Sequence, residues 1–255
     1  MAQTLSRTPV SGTATSTPAK RKPFLLDLYS TAVGKKYVMA ITGIAMIGFV
    51  IVHMLGNLKL YQGASATGIY PIDTYAEWLA TLLYPAVPKY GVLWLARIGL
   101  LTAAVLHVHA AYGLTVMNRR ARPVRYQSSR DYQVANFASR TMRWTGVIVL
   151  LFLFWHIADL TLGWVNPGFI YGDVQMNVVN SLSRVPVALF YIVANIALGI
   201  HLFHGTWSLF QSMGWNNPRF NSWRRGLAAA VATVIVVGNV SFPIAIMTGV
   251  VTYNP

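Results

Sequence analysis

The chain has 255 residues, of which 55% are hydrophobic and only 10% are charged. Soluble domains carry about 25% charged residues, so this composition excludes an ordinary water-soluble enzyme and a disordered chain. The 20 Lys and Arg outnumber the 6 Asp and Glu, but the apolar fraction is too high for a nucleic-acid-binding protein. We expect a membrane protein with basic loops. With no cysteine, the chain has no disulfide, thiolate metal site or Fe–S ligand of its own.

The N-terminal segment is polar. Residues 1–23 are rich in Ser, Thr, Ala and Pro and lack the apolar core of a secretory signal. We expect residues 1–29 to form a flexible cytoplasmic tail. A mitochondrial transit peptide stays open as a second interpretation, because the segment contains basic residues and no acids. Residues 30–255 then form one transmembrane domain.

Five apolar segments of that domain are long enough to cross a bilayer. They are Tyr37–Leu58, Leu93–Met117, Trp144–Val165, Val185–Phe210 and Gly226–Val251. None has the alternation of a strand, Trp and Tyr lie near their ends, and Pro243 is expected to kink the fifth. The sequence therefore predicts an all-α integral membrane bundle of five transmembrane helices.

Basic residues concentrate on one side of these spans. The N-terminal segment, the loop between spans two and three, and the loop between spans four and five carry most of them. The other connections hold only Lys59, Lys89 and Arg184. By the positive-inside rule, we expect the N-terminus in the cytoplasm and the C-terminus outside.

All six histidines fall inside the spans, where an imidazole needs a partner. At 1.5 Å per residue, His53 and His156 lie roughly 24 and 18 Å from the inner edge, and His109 and His201 roughly 12 and 15 Å. Paired imidazoles at two levels on four helices are typical of two bis-His b haems. We predict His53 and His156 at the outer haem, and His109 and His201 at the inner one. For any single histidine, an interhelical hydrogen bond is the simpler alternative.

Two further histidines lie close to predicted ligands. His107 points about 160° away from His109 around the helix, so only one of them faces a given haem. His204 shares the face of His201, where an inner haem propionate, a quinone or a packed helix interface are its candidate partners. A transition-metal site without haem is disfavoured, because nearby cysteines and carboxylates are lacking.

Four segments resemble the diheme cytochrome b membrane subunit of succinate:quinone oxidoreductases, in its single-anchor form with five helices. They are VIVHMLGN around His53, HAAYG from His109, FWHIAD around His156 and IHLFHGTWS around His201. In that family, the ligand stands four residues before a glycine in the second and fourth helices. The resemblance thus selects His109 over His107 and His201 over His204. A histidine at 204 departs from the asparagine of relatives.

The resemblance implies a succinate dehydrogenase of the respiratory chain and tricarboxylic acid cycle, in the inner (cytoplasmic) membrane. This chain would bind two haem b and a quinone, usually menaquinone. Its partners would be a flavoprotein subunit with FAD and an iron–sulfur subunit, for which the basic loops are a candidate docking surface. Succinate chemistry would occur on those partners, and no catalytic residue is assigned here. The direction of electron flow and an oligomer of the complex stay open.

Several charged residues are candidates for these sites. Arg97 is predicted to pair with an outer haem propionate, and Arg143, with Arg140, to pair with inner ones. Asp159, the acid within a span, and Glu77 are quinone candidates; for Asp159 an interfacial carboxylate is the alternative. Gly199 stands where one subgroup has a glutamate linked to proton transfer, so that route is not expected.

Two rival functions remain. The first is a diheme b subunit of a nitrate reductase or formate dehydrogenase, although those tend to place two ligands on each of a few helices. The second is a haem-free scaffold or transporter that uses histidines as polar contacts. The second predicts no visible absorbance and favours inverted repeats and broken helices.

Overall fold

The computed structural model describes residues 23–121, 137–215 and 217–254. Within those ranges the chain is helical and contains no strand, which confirms the predicted fold class. The helices are α1 (Phe24–Ser30), α2 (Ala32–Asn57), α3 (Pro71–Ala80), α4 (Gly91–Arg120), α5 (Phe137–Leu160), α6 (Val174–Leu182), α7 (Val185–Ser212) and α8 (Asn221–Met247), with 3₁₀ turns at Leu58–Gln62 and Pro218–Phe220.

Five of these helices, α2, α4, α5, α7 and α8, are long and apolar enough to cross a membrane. They coincide with the five predicted spans and make the chain a multi-pass membrane protein. Large apolar side chains such as Leu95 and Phe154 are exposed on their outer faces, as expected for helices that meet lipid.

Two spans end earlier than predicted. The third helix ends at Leu160 and the fifth at Met247, because Gly163 and Gly249 adopt positive φ values of 68° and 75° just beyond. A left-handed residue after the last turn is a common helix terminator. Pro243 lies inside α8, which continues through it although the proline supplies no N–H to the helix.

Helix α7 packs mainly against α8 and α5, and α2 packs mainly against α4. At Gly199 of α7, an added Cβ would meet the Val236 side chain of α8. At Gly238 of α8, it would meet Met54 of α2. Small residues therefore let these backbones approach closely, as is usual between membrane helices.

The short helices α3 and α6 cover one end of the bundle, called here the capped end. Asp73 of α3 accepts hydrogen bonds from the amides of Val174 and Gln175, at 2.6 and 3.0 Å, where α6 begins. Asp173 accepts one from Met176 N at 3.0 Å and another from the Tyr253 hydroxyl at 3.0 Å. The two carboxylates thereby satisfy orphan amides of α6. Burial raises the pKa of Asp73 against the opposing effect of those hydrogen bonds.

At the opposite end lies α1, Phe24–Ser30, which overlaps the last six residues of the segment 1–29 that the sequence predicts to be a flexible tail. Residues 1–22 of that tail lie outside the described residues. The same holds for much of the basic loop between α4 and α5, including Arg122, Arg125 and Arg130.

Candidate functional site

The first histidine pair joins α2 and α5 near the capped end. The rings of His53 and His156 are edge to face, with centroids 5.8 Å apart and planes at 86°. Aromatic side chains line the pair: Phe49 stacks on His53 at 5.3 Å, and Phe152 lies 5.6 Å from His156. The structure thus brings together the two side chains predicted for the outer haem.

The second pair joins α4 and α7, and it contains His107. The His107 and His201 rings have centroids 6.4 Å apart. His109 lies on another side of α4, where it stacks on Tyr29 of α1 and its Nδ1 is 2.5 Å from the Tyr29 hydroxyl. The Lys35 ammonium lies 4.0 Å from that tyrosine ring. The structure therefore places His107, and not His109, against His201.

Threonine hydroxyls contact the second pair. Thr42 Oγ1 is 3.1 Å from His107 Nδ1, and Thr145 Oγ1 is 3.4 Å from His201 Nδ1. Each hydroxyl donates to a carbonyl one turn back, that of Val38 at 2.6 Å or Thr141 at 3.2 Å. Its oxygen can therefore accept a hydrogen bond from Nδ1–H. That tautomer leaves both Nε2 lone pairs for a metal.

A repeated Thr–Gly unit provides these contacts, and the sequence interpretation missed it. Thr42 precedes His53 by the same eleven positions by which Thr145 precedes His156. An added Cβ at the neighbouring Gly43 would lie 3.6 Å from His107 Cε1, and one at Gly146 would lie 3.3 Å from His201 Cε1. Thus α2 and α5 each supply a histidine at one level and a threonine and glycine at the other. The equal spacing is the signal that could have revealed them.

The two glycines that stand four residues after His109 and His201, Gly113 and Gly205, lie elsewhere. An added Cβ at Gly113 would be 3.0 Å from Lys35 Cε, and one at Gly205 would be 3.9 Å from Met142 Cε. Neither glycine is next to an imidazole in these contacts. The close approach of backbone to histidine occurs at Gly43 and Gly146.

Both ring separations fit a metal bound between two imidazoles. Two metal–nitrogen bonds of about 2 Å, plus about 1 Å from each nitrogen to its ring centre, separate the centroids by about 6 Å. In the described part of the chain, no group of three or more His, Cys, Asp or Glu could hold a metal ion. The donor set therefore fits bis-imidazole ligation, as in low-spin haem, and not a multi-carboxylate site.

The predicted propionate partners occupy different surroundings. The exposed Arg97 guanidinium lies 5.1 Å from the Trp94 ring centre, and Arg143 is exposed near the start of α5. The side chain of Arg140 lies outside the described residues. His204 contacts Trp207 edge to face at 6.1 Å. Its buried Nδ1 has no hydrogen-bond partner among the residues that the structure describes.

The two predicted quinone acids differ in accessibility. Asp159 is fully buried and accepts hydrogen bonds from Ser181 Oγ at 2.5 Å, Tyr191 Oη at 2.8 Å and Arg184 Nη2 at 3.1 Å. Glu77 is exposed and forms an ion pair with Lys89 at 2.7 Å. Both acids belong to the capped end, but only Glu77 faces outward.

Comparisons with known proteins point to one family. Residues 115–240, which include His156 and His201, match the family model of the succinate dehydrogenase/fumarate reductase transmembrane subunit. The chain is 23% identical over 177 residues to the succinate dehydrogenase cytochrome b558 subunit of Bacillus subtilis (strain 168), spanning 69% of this chain and 77% of that protein. No solved structure matches significantly. The chain is therefore similar to transmembrane subunits of succinate dehydrogenase and fumarate reductase, among them a cytochrome b558 subunit.

Proposed function

We propose that this chain is the membrane-anchor subunit of a succinate:menaquinone oxidoreductase and holds two bis-His b haems. The observation that carries the proposal is the pair of facing imidazole sets, at 5.8 and 6.4 Å. Two such sets on four helices match the demand of two six-coordinate irons. They also disfavour the rival diheme families, which tend to place two ligands on each of a few helices.

The first haem would be held by His53 and His156, as the sequence predicts. Arg97, near the start of α4, stays the candidate for one of its propionates. The enclosing rings of Phe49 and Phe152 supply an apolar wall. Such a wall keeps water from the iron and lowers the local dielectric constant.

The second haem would be held by His201 and a histidine of α4. The family pattern of a glycine four residues after the ligand favours His109. The position of the His107 ring, which faces His201, favours His107. We therefore propose His107 as the partner of His201. Arg143 and His204 are the candidates for propionate contacts. The unpartnered Nδ1 of His204 would gain a hydrogen-bond acceptor in a propionate.

When bound, each haem supplies one-electron transfer. The chain's own contribution is to fix the imidazole rings and to place two redox centres at different depths. We propose the N-terminus in the cytoplasm and the α1 end toward an iron–sulfur subunit, which in turn binds a flavoprotein subunit with FAD. The basic loops at that end offer a surface for this docking. The location would be the inner (cytoplasmic) membrane.

For the quinone, we propose the capped end of the bundle. Glu77 is the accessible acid there, and its ion pair with Lys89 is exposed and therefore weakly held. Asp159 is enclosed by three donors, so it would act on a quinone only through a neighbouring group. An accessible carboxylate at the membrane surface suits proton exchange with a reduced quinone.

Succinate added anaerobically to the purified complex tests this function. We expect the α bands of reduced haem to appear, and a menaquinone analogue then to reoxidise the haems. His156→Ala should lose one band and the quinone reaction while succinate oxidation by the partner subunits, measured with an artificial acceptor, continues. A complex without haem absorbance would contradict the proposal. Haems that are reduced by formate or oxidised by nitrate, and are not reduced by succinate, would contradict it as well.

A further inference from the structure

Asp159 stands one helical turn after His156 on α5 and is 0% exposed. Its carboxylate binds Arg184 Nη2 at 3.1 Å, and Ser181 Oγ donates to it at 2.5 Å. Arg184 also donates to the Val165 carbonyl at 2.8 Å, which fixes the guanidinium. A buried carboxylate is costly unless it is paired and hydrogen-bonded, and these contacts meet both conditions.

Tyr191 of α7 connects this carboxylate to the histidine. Its hydroxyl donates to Asp159 Oδ2 at 2.8 Å and lies 3.4 Å from His156 Nδ1. Because the hydroxyl proton is directed at the carboxylate, the tyrosine oxygen is left to accept from Nδ1–H. The ring is only 6% exposed and packs edge-on against Phe152 at 5.0 Å. The His156 tautomer that follows has Nε2 free for a metal.

Among the residues that the structure describes, the second pair has no such chain. The Nδ1 atoms of His107 and His201 face Thr42 and Thr145, whose own protons go to backbone carbonyls. In one pair, a carboxylate therefore lies two hydrogen bonds from the Nδ1 atom of a predicted ligand histidine. In the other pair, the corresponding groups are neutral backbone carbonyls. An anion at that distance draws the Nδ1 proton outward and makes the imidazole a stronger donor to iron.

We infer that Tyr191 and Asp159, with Ser181 and Arg184 behind them, are positioning residues that orient His156 and lower the reduction potential of the haem it binds. The inference rests on the proposed function, because it requires haem at His53 and His156. A more basic imidazole stabilises ferric over ferrous iron, so second-shell hydrogen bonds of this kind set the potential. Asp159 is thereby a residue that acts through Tyr191 and His156.

A potentiometric titration of the purified complex, followed at the haem α bands, tests the inference. Tyr191→Phe and Asp159→Asn should each raise the midpoint potential of the haem that His156→Ala removes. The midpoint of the other haem should stay constant. Tyr61→Phe is the matched control, because the Tyr61 hydroxyl donates to Ser241 Oγ at 2.7 Å and contacts no histidine of the described chain. Both midpoints should be unchanged in this variant.

Unchanged midpoints in both Tyr191→Phe and Asp159→Asn would overturn the inference while leaving the two haems, and so the proposed function, intact. Absence of haem from the wild-type complex would instead defeat the proposed function. Ser181→Ala removes a second donor from Asp159 Oδ2, the oxygen to which Tyr191 also donates, without touching Tyr191 or His156. The carboxylate then accepts more strongly from Tyr191, so this variant should lower the midpoint of the same haem. If Tyr191→Phe loses the haem, the midpoint of Ser181→Ala tests the inference in its place. An unshifted midpoint in Ser181→Ala would also overturn the inference.

Discussion

His107 and His201 face each other across α4 and α7 with ring centroids 6.4 Å apart, while His109 is engaged by Tyr29. The two α4 histidines are two residues apart and point about 160° away from each other. Binding of His109 to the same iron as His201 would therefore require α4 to turn by nearly half a revolution. Packing of α4 on α2, with Thr42 on His107, opposes that turn.

Substitution of the two α4 histidines separates the assignments. His107→Ala should remove the same haem as His201→Ala, because it deletes one of the two imidazoles that would hold it. His109→Ala should retain both haems and lose only the contact with Tyr29. Haem content and the low-spin signals in electron paramagnetic resonance measure this. Loss of a haem in His109→Ala, with both retained in His107→Ala, would establish the ligand that the glycine pattern favours.

The other pair gives a complementary expectation. His53→Ala and His156→Ala should each remove one haem, and the same one, since their rings share a single site at 5.8 Å. The double variant should lose no more haem than either single variant. Difference spectra at low temperature resolve the two α bands. If His53→Ala and His201→Ala removed the same band, the pairing would be wrong.

The helical fold follows from hydropathy. Helical rise groups His53 with His156 in one half of the bundle, and their rings lie 5.8 Å apart. The choice between His107 and His109 depends on rotation of α4, which its neighbours decide and a uniformly apolar helix does not encode. Tyr191 and Ser181 escaped prediction for a related reason. They reach Asp159 from α7 and α6, and no local pattern links those positions.

Because α7 packs closely on α8, a larger side chain at position 199 should destabilise the protein. Gly199→Ala places a methyl group against Val236, and overpacking of this kind costs about 1–3 kcal/mol. We expect a lower Tm of the complex in detergent. Gly48→Ala is the matched control, because that glycine is exposed on α2 with open space around its position. An equal fall of Tm in both variants would refute the packing argument.

Asp73 should stabilise the capped end through the amides that begin α6. Asp73→Ala removes the acceptor for Val174 N and Gln175 N, a loss of about 1 kcal/mol for a helix cap. Asp73→Asn keeps an acceptor oxygen and should lose less. Burial raises the pKa of Asp73, so the folded state holds this proton more tightly and the contribution of Asp73 to stability falls as the pH rises through its titration. Thermal unfolding at several pH values measures both effects, and Glu77→Gln, at an exposed position, is the control. Equal stability of Asp73→Ala and the wild type would exclude the capping role.

The central claim is that this chain holds two haems between paired imidazoles. Its most direct test is a reduced-minus-oxidised optical spectrum of the purified complex, with haem b quantified per copy of the chain. We predict two b haems per chain, falling to one in His156→Ala and in His201→Ala. One haem in the wild type would mean that one histidine pair is structural, and no haem would contradict the account and leave a haem-free membrane scaffold.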